Sequence, residues 1–244
     1  MSPRLVPVRR GPEALEWMDE GVGTPAEDAE AYLLLDRINR WQAGHRLTLD
    51  ALGEALAAGT IGAGGEFTFL DLAGGDGGFA ARVVEWAAAR GQVARPVVVD
   101  LNPAALAAAG ERHAGSALIR ADALSLPVTD RSVDCVHASC FFHHLSTLDA
   151  RDLLEEMCRA SRGLVVVNDL VRSWVAAGAT WAATRALVEN RLVRHDGPLS
   201  VLKAVLPREL LDIAHASGAA GWRWRVERAF PYRMALIGAR AKPR

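Results

Sequence analysis

Asp71-Leu72-Ala73-Gly74-Gly75-Asp76-Gly77-Gly78-Phe79 is the segment whose residue types first suggest chemistry. Glycines this dense let the backbone turn sharply and let a ligand lie against it. An apolar run precedes them and a helical pattern follows. The loop is therefore expected at the carboxyl end of a strand, where doubly wound sheets bind ligands. Two further carboxylates, Asp100 and Asp122, end later apolar runs. In that setting Asp71 can orient an ammonium group, Asp100 can take ribose hydroxyls, and Asp122 can meet an adenine edge. The stretch from Gly75 to Ala80 also fits the G-x-G-x-x-A form of a dinucleotide fingerprint. A nicotinamide-dependent oxidoreductase thus stays open.

A ligand with an amine, a ribose and an adenine but no phosphate would use all three carboxylates. S-adenosylmethionine has that inventory, whereas a dinucleotide would place its pyrophosphate at the helix N-terminus. Nor does a Tyr-x-x-x-Lys pair occur, and the only lysines are Lys203 and Lys242.

A second cluster, Ser139-Cys140-Phe141-Phe142-His143-His144-Leu145, follows another apolar run. His143 and His144 could supply a base near neutral pH, or simply shape the loop through backbone bonds. Asp169 and His195 are the other candidates for acid–base work, although His195-Asp196-Gly197-Pro198 also reads as a surface turn. Cys140, His143 and His144 lack the carboxylates an oxygen-loving ion wants, so no metal is expected. Trp17, Trp41, Trp174 and Trp181 could line an apolar pocket or, at helical spacing, belong to the core.

These residues need a frame. Residues 1–65 read as a helical extension, and residues 66–244 as one α/β domain with a helical insertion at 170–206. Strands are expected over Phe67–Ala73, Pro96–Leu101, Ala117–Ala121, Val133–Ala138 and Leu164–Asn168. Helices are expected over Gly78–Arg90, Ala104–Arg112 and Asp149–Ala160. This alternation predicts a doubly wound, mostly parallel sheet. Beyond it come one helix over Val171–Leu192, the turn at His195–Pro198, a helix over Pro207–Ser217 and an antiparallel hairpin of Trp222–Glu227 with Arg233–Arg240.

With 244 residues and half of them hydrophobic, the chain has material for one sizeable core. A net charge of −1 gives no general attraction to nucleic acid or anionic lipid. The first ten residues lack the apolar core of a secretory signal, and no apolar run approaches the ~20 residues a membrane span needs. Three cysteines in no framework suit a reducing cytoplasm. The expected partner is a small-molecule acceptor, with no nucleic acid and no membrane; a homodimer is admitted.

From Phe67 to Gly163 the chain resembles the class I S-adenosylmethionine-dependent methyltransferases. The likeness rests on Leu70-Asp71-Leu72-Ala73-Gly74-Gly75-Asp76-Gly77, Val99-Asp100-Leu101-Asn102, Ala121-Asp122-Ala123, and Leu126-Pro127 before Ser132-Val133-Asp134. It implies a seven-stranded Rossmann-like sheet whose last strand runs antiparallel, with S-adenosylmethionine as co-substrate. Asp71 and Gly75 would lie by its methionine part, and Ala73, Gly74, Gly77 and Ser139 would also belong to the co-substrate site. Asp100 would bind the ribose, Leu101 would flank the adenine, and Asp122 with Ala123 would meet its edge. Ala73 departs from the family's first glycine. The segments Asn168–Ser173 and His195–Ser200 resemble small bacterial methyltransferases of polyketide pathways. They imply a phenolic or quinol-like acceptor, with O-methylation ahead of C-methylation. A catalytically silent S-adenosylmethionine-binding protein, acting through a partner, remains a third reading.

Overall fold

The computed structural model describes residues 9, 11, 13–41, 44–112 and 115–241. Strand β1 (Glu66–Leu72) shows why a parallel sheet forms: Phe67 and Phe69 enter one core, while Leu70 and Leu72 enter the other. The same two-residue alternation separates Val165 and Val167 from Leu164 and Val166 in β5 (Ser161–Leu170). A strand buried on both faces needs a helical layer on each.

Around these run β2 (Val93–Asp100), β3 (Ala117–Arg120) and β4 (Val133–Ser139), with β6 (Trp222–Ala229) and β7 (Arg233–Arg240) at the end of the chain. The sheet order is β3-β2-β1-β4-β5-β7-β6, and β7 runs antiparallel to both of its neighbours. This is the expected class I arrangement. Both edges are protected: β3 has only four residues, and β6 carries Arg223, Arg225 and Arg228.

Helices α2 (Gly44–Ala57) and α3 (Gly78–Ala88) cover the Phe67 face, and α4 (Pro103–Arg112) joins them beside β2 and β3. On the opposite face, α5 (Thr147–Ala160) and α8 (Pro207–Ala216) bury Leu153, Leu154, Met157 and Leu210. Truncating a fully buried Leu154 to alanine would cost about 2–5 kcal/mol. Among the described residues, no helix is long and apolar enough to cross a membrane.

The insertion departs from expectation. In place of one helix over Val171–Leu192 there are two, α6 (Trp174–Leu187) and α7 (Arg191–Lys203). Asn190 makes the break. Its side chain caps the amides of Leu192 and Val193, and its Nδ2 donates to α1 (Pro25–Trp41) at Glu27 O and Glu30 Oε2, both at 2.9 Å. The expected turn at His195–Pro198 lies inside α7. Gly197 is there for closeness, because a Cβ would come 3.2 Å from Thr180 Cγ2 of α6. The Asp196 carboxylate accepts the amides of Trp17 and Met18 at 2.8 and 3.1 Å. Tertiary contacts thus hold a helix through Pro198, overriding its local preference.

Candidate functional site

The polypeptide leaves β1 through a left-handed stretch. Ala73, Gly75 and Gly77 have φ of 50°, 57° and 72°, and Gly77 is the N-cap of α3. Alanine at the first of these positions costs roughly 1–2 kcal/mol of backbone strain. Gly74 is needed for space, since a Cβ would sit 2.9 Å from Val98 Cγ1. Asp100, the last residue of β2, ties the loop down. Its carboxylate accepts the Gly75 amide at 2.9 Å and the Asn102 amide at 2.8 Å.

Asp100 also borders a cavity of about 550 Å³ beyond the carboxyl ends of the strands, within the range of ligand pockets. Ala73, Gly75, Leu101, Asp122 and Ala123 border it too. Leu101 stands 60% exposed at the rim, ready to flank a flat group. Asp122 also closes a turn by accepting the Leu124 amide at 2.9 Å. Tyr32 of α1 completes this wall. Burial, then Asp100, Asp28 and Asp76, push its phenol up to about 12, so it stays neutral.

Asp71 does not join them. It is buried, and its Oδ1 lies 2.7 Å from His137 Nδ1, whose Nε2 is 3.2 Å from Thr48 Oγ1. Asp71 therefore braces β1 against β4 and α2. Gly74, Gly77 and Ser139 likewise shape the loops without bordering the cavity.

The other half of the cavity is built after β4. Phe142–His144 form a single 3-10 turn that points His143 and His144 inward. His143 is held twice by Asp169 of β5: its Nδ1 lies 2.8 Å from Oδ1, and its amide donates to Oδ2 at 3.1 Å. Burial opposes charge on Asp169, but His143, the Leu170 amide and Arg233 outweigh it and hold the carboxyl below its ordinary range. An ionised Asp169 keeps the proton on Nδ1 and leaves Nε2 as the basic nitrogen. That Nε2 faces Glu16 Oε1 at 3.7 Å. His144 Nδ1 lies 2.7 Å from Asp19 Oδ2. Burial disfavours its charged form, yet Asp19 and Glu16 prevail and raise its pKa.

Glu16, His143 and His144 each offer a ligand atom within 4.8 Å of the others. Lys203 Nζ, however, lies 3.1 Å from Glu16 Oε1, so a divalent ion would have to displace a buried amine. Cys140 does not belong to this group, because its Sγ accepts from Arg233 Nη1 at 2.9 Å.

Two sets of candidates lie apart from the cavity. His195 does not border the cavity; it stacks on Trp17 with centroids 4.0 Å apart and bonds Asp196 at 2.7 Å. Its place on α7 turns it toward the N-terminal segment. Trp174 and Trp181, 54% and 53% exposed, are neither wall nor core, because α6 buries its alanines instead. Trp17 packs between α1 and α7, and the Trp41 side chain and Lys242 lie outside the described residues.

Missed by the sequence reading were Glu16, Asp19, Tyr32, Lys203 and Arg233. Four of them come from segments without a motif. Lys203 did carry a signal: lysine is rare in this chain, which holds only Lys203 and Lys242.

Residues 69–163 match the family model of a methyltransferase domain. That stretch is a methyltransferase domain, set in a sheet of the class I order. No curated protein sequence matches the chain significantly. Many solved structures share this domain's fold. The plantazolicin methyltransferase BpumL, in complex with S-adenosylhomocysteine, aligns over 89% of this chain and 93% of its own, at 10% identity and a TM-score of 0.63. The [4+2]-cyclase SpnF aligns over 83% and 82%, at 17% identity and 0.56. Human N-acetylserotonin methyltransferase aligns over 72% of this chain at 14% identity and 0.53, and this methyltransferase domain's chain spans about half (48%) of that protein. At such identities the structural likeness speaks for the fold.

Proposed function

We propose that the chain transfers the methyl group of S-adenosylmethionine to a hydroxyl of a small aromatic or polyketide-type acceptor. The co-substrate brings an electrophilic methyl on a sulfonium. The residues at the strand ends fit its nucleoside: Asp100 for the ribose, Leu101 and Ala123 around the adenine, and Asp122 at its edge. In this reading Ala73 and Gly75 lie along the methionine chain, with Asp71 bracing the loop from behind. Helix α1 and the insertion at 170–206 act as the cover of domain 66–244, while α2 packs under the sheet.

The single observation that carries the acceptor chemistry is His143 on the cavity wall, with its Nδ1 fixed at 2.8 Å by the buried Asp169 behind it. A neutral phenol needs to lose its proton as the new O–C bond forms. His143 Nε2 takes that proton, and Asp169 steadies the imidazolium. In-line displacement otherwise asks for alignment, which a cavity closed by α1 and α7 supplies. An acceptor with a carbon beside its hydroxyl would draw on the same base, so C-methylation is the neighbouring outcome.

The match to a methyltransferase model favours this reading over a nicotinamide oxidoreductase. Likeness to a cyclase favours keeping one rival, a protein that binds the nucleoside without methyl transfer. Incubation with labelled S-adenosylmethionine and a panel of phenols and quinols tests the proposal. Labelled methyl ether with wild type, and its loss in His143→Gln, is the expected result. Tight nucleoside binding without any labelled product would support the rival.

A further inference from the structure

Arg233 begins β7, yet its guanidinium reaches back over the end of β4, where it borders the cavity. It is 2% exposed and has no carboxylate within ion-pair distance among the described residues. Its bonds go to neutral atoms, Nη1 to Cys140 Sγ at 2.9 Å and Nη2 to Asn39 Oδ1, while Nε is buried with no partner. Asp169 feels its charge but is already saturated by His143 and the Leu170 amide. A guanidinium stays charged in a protein. Burying one with no directly paired carboxylate is expensive, so such a site is poised for an anion.

The cavity wall says which anion. Glu16, Asp19, Asp100, Asp122 and Asp196 all border it, and among the described residues Arg233 is the single arginine or lysine that does. The polar groups also follow the strand order: Asp122 after β3, Asp100 on β2, Gly75 after β1, then Cys140 with Arg233 after β4. Helix α1 runs alongside, with Tyr32 over Gly75 and Asn39 beside Arg233. Those seven residues of helix span roughly 10 Å. An adenosyl amino acid laid along this line ends its carboxylate at the guanidinium.

We propose that Arg233, oriented by Asn39 and Cys140, is the anchor for the α-carboxylate of the S-adenosylmethionine donor. This rests on the donor reading above. Calorimetric titration with S-adenosylhomocysteine and with its decarboxylated form, S-adenosyl-3-thiopropylamine, separates the two ideas. Wild type should prefer the carboxylate-bearing compound. Arg233→Met should weaken that compound about 10- to 100-fold, the loss of a charge-assisted fork, and leave the decarboxylated one unchanged. Unchanged binding of the latter also shows that the variant is folded. Should Arg233→Met fail to fold, Arg233→Lys should lose several-fold for the carboxylate compound alone. Equal losses for both compounds, or none, would overturn the assignment while leaving the donor reading intact. Failure of wild type to bind either would overturn both.

Discussion

Replacing Asp169 by asparagine tests the base most sharply, because the change keeps the shape and removes the charge. Asp169 accepts three N–H bonds: His143 Nδ1 and the Leu170 amide on Oδ1, and the His143 amide on Oδ2. Asparagine offers one oxygen, so at least one donor is left against an NH2 group. The pair is 1% and 3% exposed, and water cannot step in. When His143 takes a proton, the lost charge-assisted bond is worth about 1.5–3 kcal/mol, or roughly 10- to 150-fold in kcat. The assay is the initial rate of S-adenosylhomocysteine formation with saturating donor and a phenolic acceptor, read beside calorimetric donor affinity. Donor affinity should hold while kcat falls. A kcat within threefold of wild type in Asp169→Asn, at equal fold stability, would refute the base assignment.

Three further outcomes follow from burial and charge. His45 is held down to about 4, first by burial and then by His137, Arg82 and Arg233 against the pull of Asp36. The unfolded chain therefore binds the extra proton between about pH 6.5 and 4, and stability should fall across that window as pH falls, by up to ~3 kcal/mol. Urea melts of His45→Gln should show a flatter profile there, and an identical slope would contradict it. The His144–Asp19 pair ties residues 13–22 to the cavity. The raised His144 pKa gives stability below about 6.5 that is lost as pH climbs through its folded value. The lowered Asp19 pKa gives stability above about 3.8 that is lost as pH drops through its own. The stability gap between wild type and Asp19→Asn should be largest between those limits; a gap independent of pH would count against the pair. Gly197→Val should cost about 1–3 kcal/mol by overpacking against Thr180, seen as a lowered melting temperature, and an unchanged melt would show that α6 and α7 can part.

The sheet was legible because its signals are local. Alternation of Phe67, Phe69, Leu70 and Leu72 and the glycines after Asp71 need no tertiary knowledge to read. The cavity rim followed, since Asp100 and Asp122 sit at strand ends wherever the strands pair. The His137 contact of Asp71 was not legible, because an acidic residue before the loop reads the same whether it faces a ligand or a histidine. The insertion misled for a related cause. Gly197 and Pro198 look like a turn, but Thr180 and the Trp17 amide, 17 and 180 positions away by residue number, make the helix worth keeping. Glu16 and Arg233 stayed hidden because their roles come from two ends of the chain meeting over one cavity. No spacing rule links them.

One titration bears most directly on the whole reading: S-adenosylhomocysteine into the purified chain and into Asp100→Ala, followed by calorimetry. One-to-one binding by wild type, with severe weakening in Asp100→Ala, is the expected result. Equal affinity in the two proteins, or no heat from wild type, would contradict the assignment of this cavity to the methyl donor.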